Sequence, residues 1–253
     1  MKKNLIAGNW KMNKTPGESI EFVENLIEKL KDKDYDDRDI LICPPFTSLF
    51  PLSKILQKDK KIKLGAQNVY CEDKGAFTGE ISPEMLKEIG VEYVIVGHSE
   101  RRNIFGETDE LINKKLKKVI EYGMKPILCV GEKLEEREEG KTFEVVRNQL
   151  ENCLKDVKEI ENVVIAYEPV WAIGTGKNAT PQQAEEVHVF IREWISNKYL
   201  QDIAKNLIIL YGGSVKPENI DSLMKEKDID GVLVGGASLN VDSFLRIIDY
   251  KGE

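Results

Sequence analysis

Four polar residues stand where short β-rich runs end, and their types suit carbon-acid chemistry. Glu168 lies in Ala166-Tyr167-Glu168-Pro169, directly after a run of buried character. A carboxylate there can be partly desolvated and poised as a general base, or it can be a salt-bridged strand cap. His98 lies in Val96-Gly97-His98-Ser99-Glu100-Arg101, just before a helix start whose dipole disfavours imidazolium. A neutral ring in that place can polarise a carbonyl; the bland account is a packed, hydrogen-bonded histidine. Asn9 and Lys11 lie in Gly8-Asn9-Trp10-Lys11-Met12-Asn13, where Lys11 is either a positive charge aimed at substrate or one more solvated lysine. Singly, each residue leaves both readings open. The other histidine, His188, sits in an amphipathic segment and reads as structural, and Cys129 reads as a small buried apolar residue with no adjacent histidine.

Gly212-Gly213-Ser214 and Gly235-Gly236 follow two later β-rich runs. Without Cβ, glycines let backbone N–H groups close on an anion, the next helix start adds positive potential, and Ser214 adds a hydroxyl. Either pair alone is an ordinary turn; together, on the last two runs, they point to a phosphate site. Two connections are long. Pro169–Ala179, containing Gly174 and Gly176, begins beside Glu168 and reads as a lid; Asn68–Ile81, with an Ala76-Phe77 tip, reads as a protein contact. Glu100, Arg101 and Arg102 form a charged run that is either a solvated helix start or a network bracing the site.

These residues need a scaffold that brings distant strand ends together. Eight β-rich runs are legible: Asn4–Ala7, Ile40–Cys43, Lys61–Ala66, Tyr93–Val96, Pro126–Val130, Val163–Tyr167, Leu207–Tyr211 and Val232–Val234. Most are continuously apolar and β-branched, as parallel strands covered on both faces are. Between them run helical patterns at Glu18–Leu30, Leu111–Tyr122, Phe143–Leu154 and Gln182–Lys198, with helix starts marked at Thr180-Pro181 and Ser82-Pro83. Strict alternation implies right-handed βαβ units. Eight units favour a single-domain (β/α)8 barrel over residues 1–253, with a doubly wound open sheet as the alternative. In a barrel, the residues after each strand converge on one face, where sites of this fold are built.

Composition limits the partners. The net charge of −7 argues against nucleic acid, and means that an anionic ligand must be drawn in by local positive groups. No segment is apolar enough to span a bilayer, and the start of the chain is not a signal peptide. Four scattered cysteines with no CxxC pair fit reduced thiols in a cytoplasmic protein.

At these same residues the sequence resembles the triosephosphate isomerase family over essentially its whole length. The matching blocks are AGNWKMN, CPPF, GAQNV, GAFTGE, VGHSERR, LCVGE, AYEPVWAIGTGK, YGGSVKPEN and VGGASL. The resemblance implies that Glu168 is the base moving a carbon-bound proton and that His98 is the electrophile. It implies Lys11 as electrostatic partner and Asn9 as a polar substrate contact. Gly174, Ser214, Gly235 and Gly236 match the phosphate-binding positions, Glu100 a partner of Lys11, and Thr78 a tip that reaches a neighbouring subunit's site. It further implies a triose phosphate substrate, an enediolate intermediate, no metal or other cofactor, and a homodimer through Asn68–Ile81. Two other readings stay in view: a Schiff-base aldolase, which needs a nucleophilic lysine in the barrel, and a silent sugar-phosphate scaffold.

Overall fold

The computed structural model describes residues 2–172 and 179–252. Its strands are β1 (Asn4–Asn9), β2 (Arg38–Cys43), β3 (Ile62–Ala66), β4 (Tyr93–Val96), β5 (Lys125–Val130), β6 (Val164–Tyr167), β7 (Ile208–Tyr211) and β8 (Gly231–Val234). They pair in parallel in sequence order, and β1 also pairs with β8, which closes the barrel and removes the open-sheet alternative. Closure leaves no unpaired strand edge.

Why the runs are apolar throughout follows from the pleat. Leu5, Ala7, Leu41, Ile95, Ile127, Cys129, Ala166, Leu210 and Leu233 fill the inside. Their neighbours Ile6, Ile40, Ile42, Val94, Val96, Leu128, Ile165, Ile209 and Val232 face outward, against the helices. Side chains alternate along a strand, so a strand with two buried faces has no polar positions to spare. One boundary differs usefully from expectation. β1 runs on to Asn9, which pairs with Cys43, so Asn9 is the last strand residue rather than the first loop residue. Its backbone is therefore held by the sheet.

The surrounding helices start where their caps say. Thr180 caps the helix Pro181–Lys198, with Gln183 reaching back to the cap amide, and Thr15 with Glu18 does the same for Pro16–Leu30. Ser82 caps Pro83–Glu88. In Pro181–Lys198 the buried face is Ala184, Val187, His188, Ile191 and Ile195, the stripe at helical spacing with one histidine included. Among the described residues no helix is long and apolar enough to cross a membrane.

Candidate active site

The C-terminal ends of the strands enclose a cleft of about 490 Å³ lined by Asn9, Lys11, His98, Glu168, Gly212, Gly213, Ser214, Gly235 and Gly236, among others. All nine of these positions, expected from the sequence and described here, thus meet in one cavity although they come from the ends of five different strands. Gly174 lies outside the described residues, as does the middle of the segment read as a lid.

Glu168 is only 2 % exposed. Its amide donates to the Val130 carbonyl (2.7 Å), which continues the β5–β6 ladder by one residue and fixes where the side chain leaves the sheet. Oε2 accepts the Ser99 amide at 2.9 Å, and Oε1 lies 3.0 Å from His98 Nε2. Burial alone would raise its pKa, but the His98 ring and the Ser99 amide favour the ionised form and hold it below the ordinary glutamate value. Two glycines make room for it. A Cβ on Gly131 would sit 1.7 Å from the Glu168 carbonyl oxygen, and one on Gly212 would sit 2.9 Å from its Cγ.

His98 caps the short helix Ser99–Asn103: its Nδ1 accepts the Glu100 amide at 3.2 Å. A ring that accepts at Nδ1 carries its proton on Nε2, the nitrogen facing Glu168. The helix start is not the only influence on this ring. Burial does lower its pKa, but the Glu168 carboxylate against Nε2 outweighs burial and raises it. That carboxylate arrives from a strand seventy residues away in sequence, so no local pattern announces it.

Lys11 adopts φ +53°, a left-handed conformation that costs a lysine energy. Three contacts hold it there. Its amide donates to Asn9 Oδ1 (3.0 Å), its carbonyl accepts Gln67 Nε2 (2.8 Å), and its Nζ lies 2.5 Å from Glu100 Oε1. Gln67 also donates to the Cys43 carbonyl, so one amide ties the β1 and β2 loops together. No role for Gln67 was visible in the sequence beyond its place in GAQNV, because a carbonyl clamp has no residue-type signature on the other partner. Lys11 Cε passes 3.6 Å from the position a Gly235 Cβ would occupy, which sets the lysine beside the glycine turn after β8.

The charged run after His98 is a brace rather than a solvated helix start. Glu100 pairs with Lys11; Arg101 with Glu107; Arg102 with Asp109 and the Gly97 and Cys129 carbonyls. Glu107 also takes buried Lys115, whose Nζ donates to Asn68 Oδ1 at 2.9 Å, so the root of the 68–81 loop is tied to the same brace. In that loop Tyr70 and Phe77 rings pack at 4.7 Å, and Phe77 stays partly exposed. The start of the segment read as a lid is anchored by Glu132, fully buried, which accepts the Tyr167 hydroxyl and the Trp171 indole N–H.

His188 is buried away from the cleft with Nδ1 on the Asp228 carbonyl, and Cys129 is a buried thiol pushed well up by desolvation; both match their structural readings. Among the described residues no group of three His, Cys, Asp or Glu side chains is placed to hold a metal ion.

Such a constellation can take a proton from carbon with a buried carboxylate while N–H donors hold an oxygen and glycine turns hold a phosphate. The family model described as Triosephosphate isomerase matches residues 4–251. A curated Triosephosphate isomerase of Thermoanaerobacter pseudethanolicus is 55 % identical over 252 residues, covering 99 % of this chain and 100 % of that protein. The one from Caldanaerobacter subterraneus subsp. tengcongensis gives the same figures, 55 % over 252 residues. That of Carboxydothermus hydrogenoformans is 56 % identical over 250 residues, 98 % of each chain.

Proposed function

From the premise that the chain belongs to the triosephosphate isomerase family, and so interconverts dihydroxyacetone phosphate and D-glyceraldehyde 3-phosphate, we propose the following division of labour. Glu168 takes a proton from C1 of the ketose and returns it to C2, while the proton of the C1 hydroxyl passes to the C2 oxygen. The electron pair left on carbon moves onto the carbonyl oxygen, giving an enediolate, and no electrons leave the substrate. His98 donates its Nε2–H to that oxygen, with Lys11 supplying positive charge and Asn9 a polar contact. Ser214, Gly235 and Gly236 hold the phosphate, and Gly174, outside the described residues, carries the same assignment from the resemblance.

The observation that carries this reading is the Glu168 carboxylate: buried, ionised, and within hydrogen-bond distance of His98 Nε2 in the cleft the glycine turns line. Its depressed pKa keeps it a base throughout the neutral range. A coupled assay on the wild type and on Glu168→Gln tests it. Removing a general base costs about 10²–10⁴-fold in rate, so the variant is expected to lose kcat by that factor with its melting temperature kept. Near-normal kcat would remove Glu168 from the role.

The enzyme further acts as a homodimer in this reading. Large apolar side chains stand exposed on the segments after four adjacent strands: Met12 after β1, Phe50 after β2, Phe77 and Met85 after β3, and Ile104 and Phe105 after β4. Exposed apolar side chains on adjacent units of the barrel favour a protein partner, and the 68–81 loop carries one of them. Phe77→Asp is expected to lower the sedimenting mass to that of one chain at micromolar concentration and to cut activity. Unchanged mass and activity would take the loop out of the interface. The four free cysteines suit a cytoplasmic setting.

A further inference from the structure

An anionic substrate approaching this molecule meets a chain of net charge −7, and the cleft wall offers little to offset it. Among the described residues three with permanent charge line the cleft: Glu168, Lys11 and Lys216. Glu168 is negative. Lys11 is committed to Glu100 at 2.5 Å, so that pair adds no net charge. Lys216 is the cation left over. It is exposed, and among the described residues it makes no ion pair.

The turn that carries it is fixed. Lys216 follows the phosphate-site hydroxyl Ser214 by two residues, and its backbone is clamped: the amide donates to Asn219 Oδ1 (2.8 Å) and the carbonyl accepts the Asn219 amide (3.2 Å). Asn219 Nδ2 in turn donates to the Ser214 carbonyl at 2.9 Å. One asparagine therefore fixes Ser214 and Lys216 relative to each other. The rest of the phosphate cradle consists of glycine amides and one hydroxyl, which are short-range donors with no net charge.

We propose that Lys216 is the electrostatic specificity residue of this cleft, drawing phosphorylated trioses towards the Ser214 turn and raising their capture rate over that of unphosphorylated ones. It rests on the isomerase reading above and adds a cation at the phosphate turn, where that reading places only amides and a hydroxyl. Hydrogen bonds from amides hold a phosphate once it has arrived; a net positive charge at the rim acts over a Debye length, about 30 Å at 0.01 M salt and about 3 Å at 1 M.

The test compares D-glyceraldehyde 3-phosphate with D-glyceraldehyde as substrates for wild type, Lys216→Ala, Lys216→Glu and Lys216→Arg. Steering by a single charge is expected to be worth about three- to tenfold at 0.01 M salt, near the low end of steering effects. The ratio of kcat/KM for the phosphorylated to the unphosphorylated triose should fall by that factor in Lys216→Ala and further in Lys216→Glu. Lys216→Arg should restore it, and the wild-type advantage should shrink towards none at about 1 M salt. A ratio unchanged in Lys216→Ala, or one lowered equally at both salt concentrations, would overturn the proposal. A wild type inactive on the phosphorylated triose would instead overturn the isomerase reading itself.

Discussion

The two ends of the barrel use the same residue types in opposite ways. At the N-terminal end Arg192 pairs with Asp228 and Asp230 and also donates to the Ala204 and Leu207 carbonyls. Asp230 accepts the Ile209 amide and Lys2, so every charge is spent on holding strands and helices together. Arg38 works likewise, binding the Ile248 and Tyr250 carbonyls and stacking 3.7 Å from the Tyr250 ring centre, which fastens the last helix to β2. At the C-terminal end Glu168 has a histidine and a backbone amide where an arginine would lock it, Lys11 is bent into an unfavourable conformation, and glycines replace side chains. Saturated charges make a foundation. Charges held ready, at some cost in strain, make a site.

The contrast can be broken by swapping its consequences. The largest effect belongs to the mouth: His98→Gln replaces the imidazole facing the substrate oxygen with a differently placed amide, and losing an aligned donor costs about 10²–10³-fold in kcat. Its unfolding midpoint should move little. Equal loss of stability and rate would mean that His98 is a structural cap. At the other end, Arg192→Ala leaves Asp228 and Asp230 without their shared cation; breaking a buried pair costs about 3–5 kcal/mol. Urea unfolding should show that loss while kcat per folded molecule stays near wild type. A variant as stable as wild type would mean that Lys2 and the amides already suffice.

A smaller effect sharpens the comparison through the two histidines. His188 is fully buried, and desolvation pushes its pKa down to about 4. In the unfolded chain a histidine titrates near 6.5, so between those values the unfolded state takes up a proton that the folded state refuses. Stability from this group therefore falls as pH drops from about 6.5 to about 4, by about 3 kcal/mol in all. His188→Gln should flatten that part of the curve of unfolding free energy against pH. An unchanged slope would move the acid sensitivity elsewhere.

How much of this was legible in the chain divides along the same line. Residues whose meaning is a position relative to a strand end, such as Asn9, Lys11, His98 and Glu168, can be read because strand periodicity and alternation locate that end. The barrel likewise follows from eight apolar runs, since two buried faces erase the alternation. Contacts whose second partner is backbone are silent. The Ser99 amide on Glu168, Gln67 on the Lys11 carbonyl and the glycine clearance at Gly131 all depend on which strands become neighbours and in what register. The same ignorance hides one electrostatic influence. A helix start beside His98 is visible in the sequence; the carboxylate across the barrel, which opposes burial and raises the ring's pKa, is not.

The central claim is that a proton on substrate carbon passes through Glu168. Isomerisation in D2O, followed by NMR at C1 of dihydroxyacetone phosphate, tests it most directly, because exchange at that carbon reports proton abstraction whatever step limits turnover. The wild type is expected to place a single solvent deuteron at C1. Glu168→Gln, shown to be folded by its melting curve, is expected to exchange about 10²–10⁴-fold more slowly. A folded Glu168→Gln that exchanges C1 at close to the wild-type rate would contradict the account, since some other group would then be removing the proton.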